Sequence, residues 1–168
     1  MTPLPPPHQH RLNAIEGWLA LGLPEEARGE FNAIPEVLRR EPPVLEAEFA
    51  IHAHHRDWTA AFETAERHVA CHPEDSGAWI HRAYAARRRP DGGLAEAFRL
   101  LLPAAARFPR EGVIPYNLAC YCAQQDQLED AWHWLLQATR IAGPDRIRRM
   151  ASHDPDLVAL KPRLGALA

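Results

Sequence analysis

Along this chain, apolar residues recur three and four positions apart, and no stretch alternates apolar with polar in the company of β-branched residues. The pattern predicts helices and no strands. Four helices are expected at roughly 9–21, 43–55, 76–88 and 112–125, each followed by a second at roughly 25–40, 58–71, 94–108 and 128–141. Between the partners lie turn residues: Gly22 with Pro24, Arg56-Asp57, Pro90-Asp91-Gly92-Gly93, and Gln125-Asp126. Asp57 and Ser76 stand where helix N-caps are needed. Pro35 and Pro103 fall inside predicted second helices, where a proline removes a hydrogen bond and costs about 3 kcal/mol. A kink or short break is expected at each, with a new helical segment starting at Ile34-Pro35.

The paired helices carry a register. Ala27, Ala61, Ala97 and Ala131 follow similar short turns and are 34, 36 and 34 residues apart. Four positions further, on the same helical face, stand Phe31, Ala65, Leu101 and Leu135. Pro73 and Pro109 close two units 36 residues apart, and Pro144 follows 35 later. The two extra residues of the third unit fit the turn at 89–93.

A helix-turn-helix period near 34 residues resembles the tetratricopeptide repeat. The likeness is best from Tyr116 to Ala138, where Leu118-Ala119 stands for the family's Leu-Gly and Ala131, Leu135 and Ala138 give its small-large-small pattern. The third unit has Trp79, Ala83, Ala97, Leu101, Ala104 and Pro109; the second substitutes His52 and His68; the first keeps Gly22, Ala27 and Phe31. The resemblance implies an all-α, right-handed superhelix of about four hairpins over residues 9–143, with units at about 9–42, 43–75, 76–111 and 112–143. Residues 1–8 are expected to be a flexible proline-rich lead. Residues 144–168 resemble the end of many bacterial members, a capping helix and tail whose Ile147, Met150, Leu157 and Leu160 would cover the last apolar face.

Composition narrows the function. The 168 residues, 46% hydrophobic and 24% charged, suit one globular domain. A net charge of -3 argues against nucleic acid as the partner. No apolar run is long enough to span a bilayer. The opening residues lack a charged and an apolar region, so no secretory signal is expected. Three cysteines, Cys71, Cys120 and Cys122, read as reduced and mostly packed thiols, which places the protein in the cytoplasm.

Chemistry-bearing motifs are sparse. His52, His54 and His55 end one predicted helix, and His68 and His72 end the next. A metal site needs three or four convergent ligands. The two histidine groups lie at opposite heights of a hairpin, about 15–20 Å apart from the 1.5 Å rise per residue. They are expected to pack or to be solvated, with no metal and no cofactor. Phosphate loops, nucleophile elbows and metalloprotease motifs are absent. A metal-dependent enzyme is the last of three readings.

The first reading is a non-catalytic, protein- or peptide-binding adaptor. In the family resembled, the first helix of each unit lines the concave face. Carried onto this chain, that face comprises Asn13, Glu46, Ile80, His81, Tyr84, Arg87, Arg88, Tyr116, Asn117 and Gln124. Its cations and aromatics suit an extended peptide bearing acidic side chains or a free carboxylate. Paired lysines of chaperone-tail binders do not accompany Asn13 and Asn117, so that ligand is not expected. The second reading is a self-associating structural module, hence a homo-oligomer, or a small chaperone of the bacterial secretion type.

Overall fold

The computed structural model of the protein describes residues 4–167. Among them are nine α-helices, two 3-10 segments and no strand. The helices are α1 (Pro6–Ala20), α2 (Pro24–Asn32), α3 (Pro42–His54), α4 (Trp58–Cys71), α5 (Ser76–Ala86), α6 (Leu94–Arg107), α7 (Val113–Ala123), α8 (Leu128–Ala142) and α9 (Pro144–His153). The 3-10 segments are η1 (Glu36–Leu38) and η2 (Pro155–Ala166). The chain packs as two compact units, Met1–Asp91 and Gly92–Ala168. The boundary falls in the glycine-containing turn expected inside the third hairpin.

Within the first unit α1 packs on α2 and α3, and α3 on α4 and α5. Within the second, α7 packs on α6 and α8, and α9 on α8 and η2. The alanine register lies inside both: Ala27, Ala61, Ala97 and Ala131 are all 0% exposed. Their partners Phe31, Ala65, Leu101 and Leu135 are buried beside them. A methyl at these positions lets two helices approach, and the larger residue one turn on fills the space between them.

The turns repeat in conformation as well as in sequence position. After α1, α3 and α7 comes a left-handed residue: Gly22 at φ 72°, Arg56 at 57° and Asp126 at 59°. The next amide then donates to the carbonyl five residues back, Leu23 to Trp18, Asp57 to His52 and Gln127 to Cys122, all at 2.9–3.0 Å. This is the Schellman closure, which satisfies carbonyls left open at a helix end. The exits of α4 and α6 also match: His72 and Phe108 share an extended φ near -130° with ψ 67°, and a proline follows each.

Three departures have physical causes. The proline-rich start is helical from Pro6, because a proline in the first turn gives up only an amide that has no partner there. Leu4 packs on the apolar cluster of Leu12, Ile15 and Leu19. Residues 1–3 of the expected lead lie outside the described residues. Pro35 does end α2 early, and η1 restarts the chain after it. Pro103, by contrast, does not break α6. Both Pro103 and Arg99 are exposed, so the carbonyl that loses its partner is open to water.

The last residues form two segments, α9 and then η2. α9 contributes buried Ile147, and η2 contributes buried Leu157, Leu160 and Leu164. Gly143, at φ 86°, turns the chain between α8 and α9 in a conformation that side chains resist.

Candidate functional site

In the first unit the residues of the expected face lie on α1, on α3, and on or just past the end of α5. Tyr84 is 38% exposed, and its ring meets Trp58 of α4 edge-on at 5.7 Å between centroids. Arg88 lies over both rings, 3.5 Å from the Tyr84 centroid and 5.4 Å from that of Trp58, and donates to the Tyr84 carbonyl at 3.0 Å. Arg89 covers Phe62 in the same manner at 4.1 Å. Stacking of guanidinium on ring contributes about 0.5–1 kcal/mol where exposed, and it fixes a long side chain in place. Ile80 on α5 and Arg87 just past its end are half-buried, while Asn13 and Glu46 are exposed on α1 and α3. Asn13 accepts from Gln9 at 3.1 Å.

His81 has another setting. Its ring stacks on Phe49 of α3 with centroids 4.2 Å apart and planes at 9°. Burial, then the neighbouring His68, push its pKa down to about 4. The imidazole is therefore neutral at pH 7 and adds no cation to a peptide-binding face. His68, 1% exposed on α4, sets its Nε2 3.1 Å from Asp75 Oδ2, and burial again lowers its pKa. The other Asp75 oxygen accepts the Gly77 amide at 2.9 Å, capping α5. The rim of this group is Glu46, exposed as a residue but with its carboxylate end against Gly77 and Asp75. Burial and the Asp75 charge raise its pKa. His72 reaches instead to the Arg40 carbonyl at 2.7 Å.

The second histidine group keeps to different partners: His52 lies 3.9 Å from Glu48, and His55 lies 3.7 Å from Glu25. Sequence spacing could show the two groups but not the entry of His81, which arrives from the next helix.

In the second unit the expected face is covered by the chain itself. Tyr116 is buried on α7, and its hydroxyl donates to Asp154 Oδ2 at 2.8 Å. Burial, together with that carboxylate, pushes the phenol far above its usual range. The Cys120 thiol donates to the same oxygen at 3.6 Å, Gln124 Nε2 donates to the Asp156 carbonyl at 3.1 Å, and the Asp156 amide donates to Asp154 Oδ1 at 2.9 Å. Asn117 turns back to the Val113 carbonyl at 3.0 Å. Tyr116 and Gln124, read from sequence as ligand-facing, thus hold η2. An acidic segment does lie on this face: Asp154, which caps η2, and Asp156 in its first turn. No signal in the sequence pairs residues 38 apart such as Tyr116 and Asp154.

Cys120, Asp154 and Asp156 also place a potential ligand atom each within 4.8 Å of one another. The Asp154 carboxylate already accepts a phenol, a thiol and an amide. The set is chemically a proton-filled clasp, and a cation would have to displace donors that fasten η2 to α7. Among the described residues no helix is long and apolar enough to cross a membrane.

No protein-family model matches the chain, and no curated protein matches it.

Proposed function

We propose that the protein is a non-catalytic binding module of tetratricopeptide type that takes an extended peptide with acidic side chains or a free carboxylate. One observation carries this reading: the stack of Trp58, Tyr84 and Arg88. A guanidinium held over two rings presents a cation at a fixed position, and the exposed ring offers flat area beside it. Holding the side chain beforehand reduces the ordering cost on binding. The buried alanine register supports the repeat assignment, as does the turn closure shared by three of the four expected units. The binding surface so defined comprises Tyr84, Arg87 and Arg88, with Trp58 added and with Tyr116, Gln124 and His81 removed.

A peptide display library with free C-termini tests it. Acidic sequences should be enriched on the full chain, and the Arg87→Glu/Arg88→Glu variant should bind the selected peptides at least tenfold more weakly, about 1.4 kcal/mol. Tyr84→Ala should weaken them too, with circular dichroism unchanged. Enrichment of acidic peptides that bind the double variant equally well at low salt would sink the proposal.

A further inference from the structure

His81 sits on α5 one turn before Tyr84, so the two side chains share a helical face. Its ring lies flat on Phe49, with centroids 4.2 Å apart. Phe49 belongs in turn to an apolar cluster with Ala61, Ala65 and Ala85, against which Trp58 and Phe62 pack. Trp58 and Phe62 are the rings beneath Arg88 and Arg89. Packing therefore leads from the imidazole, by way of Phe49, to the seats of both guanidiniums.

The seat suits a neutral ring. His81 Nδ1 is buried, with no hydrogen-bond partner among the described residues. Both nitrogens of an imidazolium are donors, so protonation would leave a buried N–H without an acceptor. The Phe49 face attracts a cation but offers no lone pair. The titratable and charged groups around the ring do not supply one either. From α4 comes His68, 1% exposed, with His72 beyond it turned to the Arg40 carbonyl. From the cap of α5 comes Asp75, one of whose oxygens accepts the Gly77 amide while the other faces His68 at 3.1 Å. On α3, Glu46 stands one turn before Phe49, with its carboxylate by Gly77 and Asp75. Arg82, next to His81 on α5, turns to Glu66 and to the Trp79 ring. Burial, then His68, accordingly hold the His81 pKa down to about 4.

We infer that His81 is a proton-sensitive latch for the peptide surface proposed at the end of α5: a proton unseats its ring from Phe49, loosens the cluster behind Trp58 and disperses the platform under Arg88. The latch rests on that proposed surface, because it regulates the same site. An unseated imidazole titrates near 6.5 and the seated one far lower, so the seated form is kept in full above pH 6.5. It loses ground to the unseated form by at most about tenfold per pH unit as pH falls from there towards 4.

NMR of the full chain between pH 7.5 and 4.5 tests the latch without any ligand. The Trp58 indole N–H and the Tyr84 ring should shift with the same midpoint as the His81 ring, while far-UV circular dichroism stays constant. The second arm uses an amidated peptide carrying cysteic acid, whose sulfonate keeps its charge throughout. It should bind at pH 7.5 and at least tenfold more weakly at pH 4.5. His81→Phe should hold its affinity within twofold over that range, whereas His54→Gln, exposed on α3, should respond to pH as the natural chain does. A Trp58 signal that stays put while His81 titrates, or that moves only as circular dichroism is lost, overturns the inference. So does a His81→Phe chain that still releases the probe at low pH. Failure of the probe to bind at pH 7.5 counts against the peptide surface instead, and the NMR titration then decides the latch by itself.

Discussion

His68 Nε2 lies 3.1 Å from Asp75 Oδ2, so one carboxylate both caps α5 and meets the only histidine that α4 buries completely. The pair ties the end of one predicted unit to the start of the next. Even beside this acid, burial keeps the His68 pKa below its usual value, and His52 and His81 are lowered likewise.

Stability should therefore fall on acidification. A histidine whose folded pKa is lowered stays neutral in the native state, while the unfolded chain takes up the proton near pH 6.5. The loss begins as pH drops through 6.5 and continues until the folded group titrates, near 4 for His81. At about 1.4 kcal/mol per pKa unit, His81 alone accounts for on the order of 3 kcal/mol over the whole window. Thermal melts from pH 7.5 to 4.5 should show the decline. His81→Phe, which keeps the stack on Phe49, should flatten it; an unchanged slope would remove His81 from the account.

The C-terminal segment should be required for a stable second unit. Leu160→Ala deletes a fully buried side chain and should cost about 2–5 kcal/mol. Tyr116→Phe leaves Asp154 short of a donor and should cost about 1–3 kcal/mol. A chain ending at Ala142 should aggregate, with Tyr116, Cys120 and Trp132 uncovered. Denaturant melts and light scattering measure these, and a truncated chain as stable as the whole would refute the covering role.

Thiol reactivity should separate the cysteines. Cys71 is exposed, while Cys120 and Cys122 are buried. Burial, with Asp130 nearby, raises the Cys122 pKa to about 11. Because the thiolate is the reactive form, a thiol reagent at pH 8 should modify one cysteine in the native protein and three after denaturation. Rapid modification of three without denaturant would mean that η2 opens readily from α7.

Removing metal should change nothing. The histidine groups have separate partners, and donors of the protein already fill the Asp154 carboxylate. EDTA is expected to leave the melting temperature unmoved. A drop restored by one equivalent of zinc would show that the clasp is a metal site instead.

Substitutions in the recurrent turn should act in opposite directions. Gly22→Ala forces a methyl into a left-handed conformation and should destabilise by roughly 1 kcal/mol. Arg56→Gly relieves the same strain, less the entropy glycine loses on folding, and should stabilise by a few tenths of a kcal/mol. If both shift the melting temperature in one direction, conformational strain is not what governs the turn.

Helix positions, the buried alanines and the break at Pro35 were legible in the sequence because each depends on residues a few positions apart. Periodicity reports which face is apolar, and a proline acts on its own helix. The covering of Tyr116 by Asp154 and the stacking of His81 on Phe49 were not legible, because each joins separate helices that only packing brings together. For the same reason Tyr116, Gln124 and His81 looked like ligand-facing residues: a polar or aromatic side chain on a first helix has the same local pattern whether its partner is a foreign peptide or a later part of the same chain. Pro103 shows the converse, a local rule overridden by solvent at an exposed carbonyl.

The matching closures at Gly22, Arg56 and Asp126 have a further consequence. A chain cut at one of these turns and rejoined at another meets the same backbone angles and the same five-residue hydrogen bond on both sides of the joint. A helix pair moved between these three turns is therefore expected to need no new junction, whereas the exit of α5, which lacks the closure, offers no such ready-made seam.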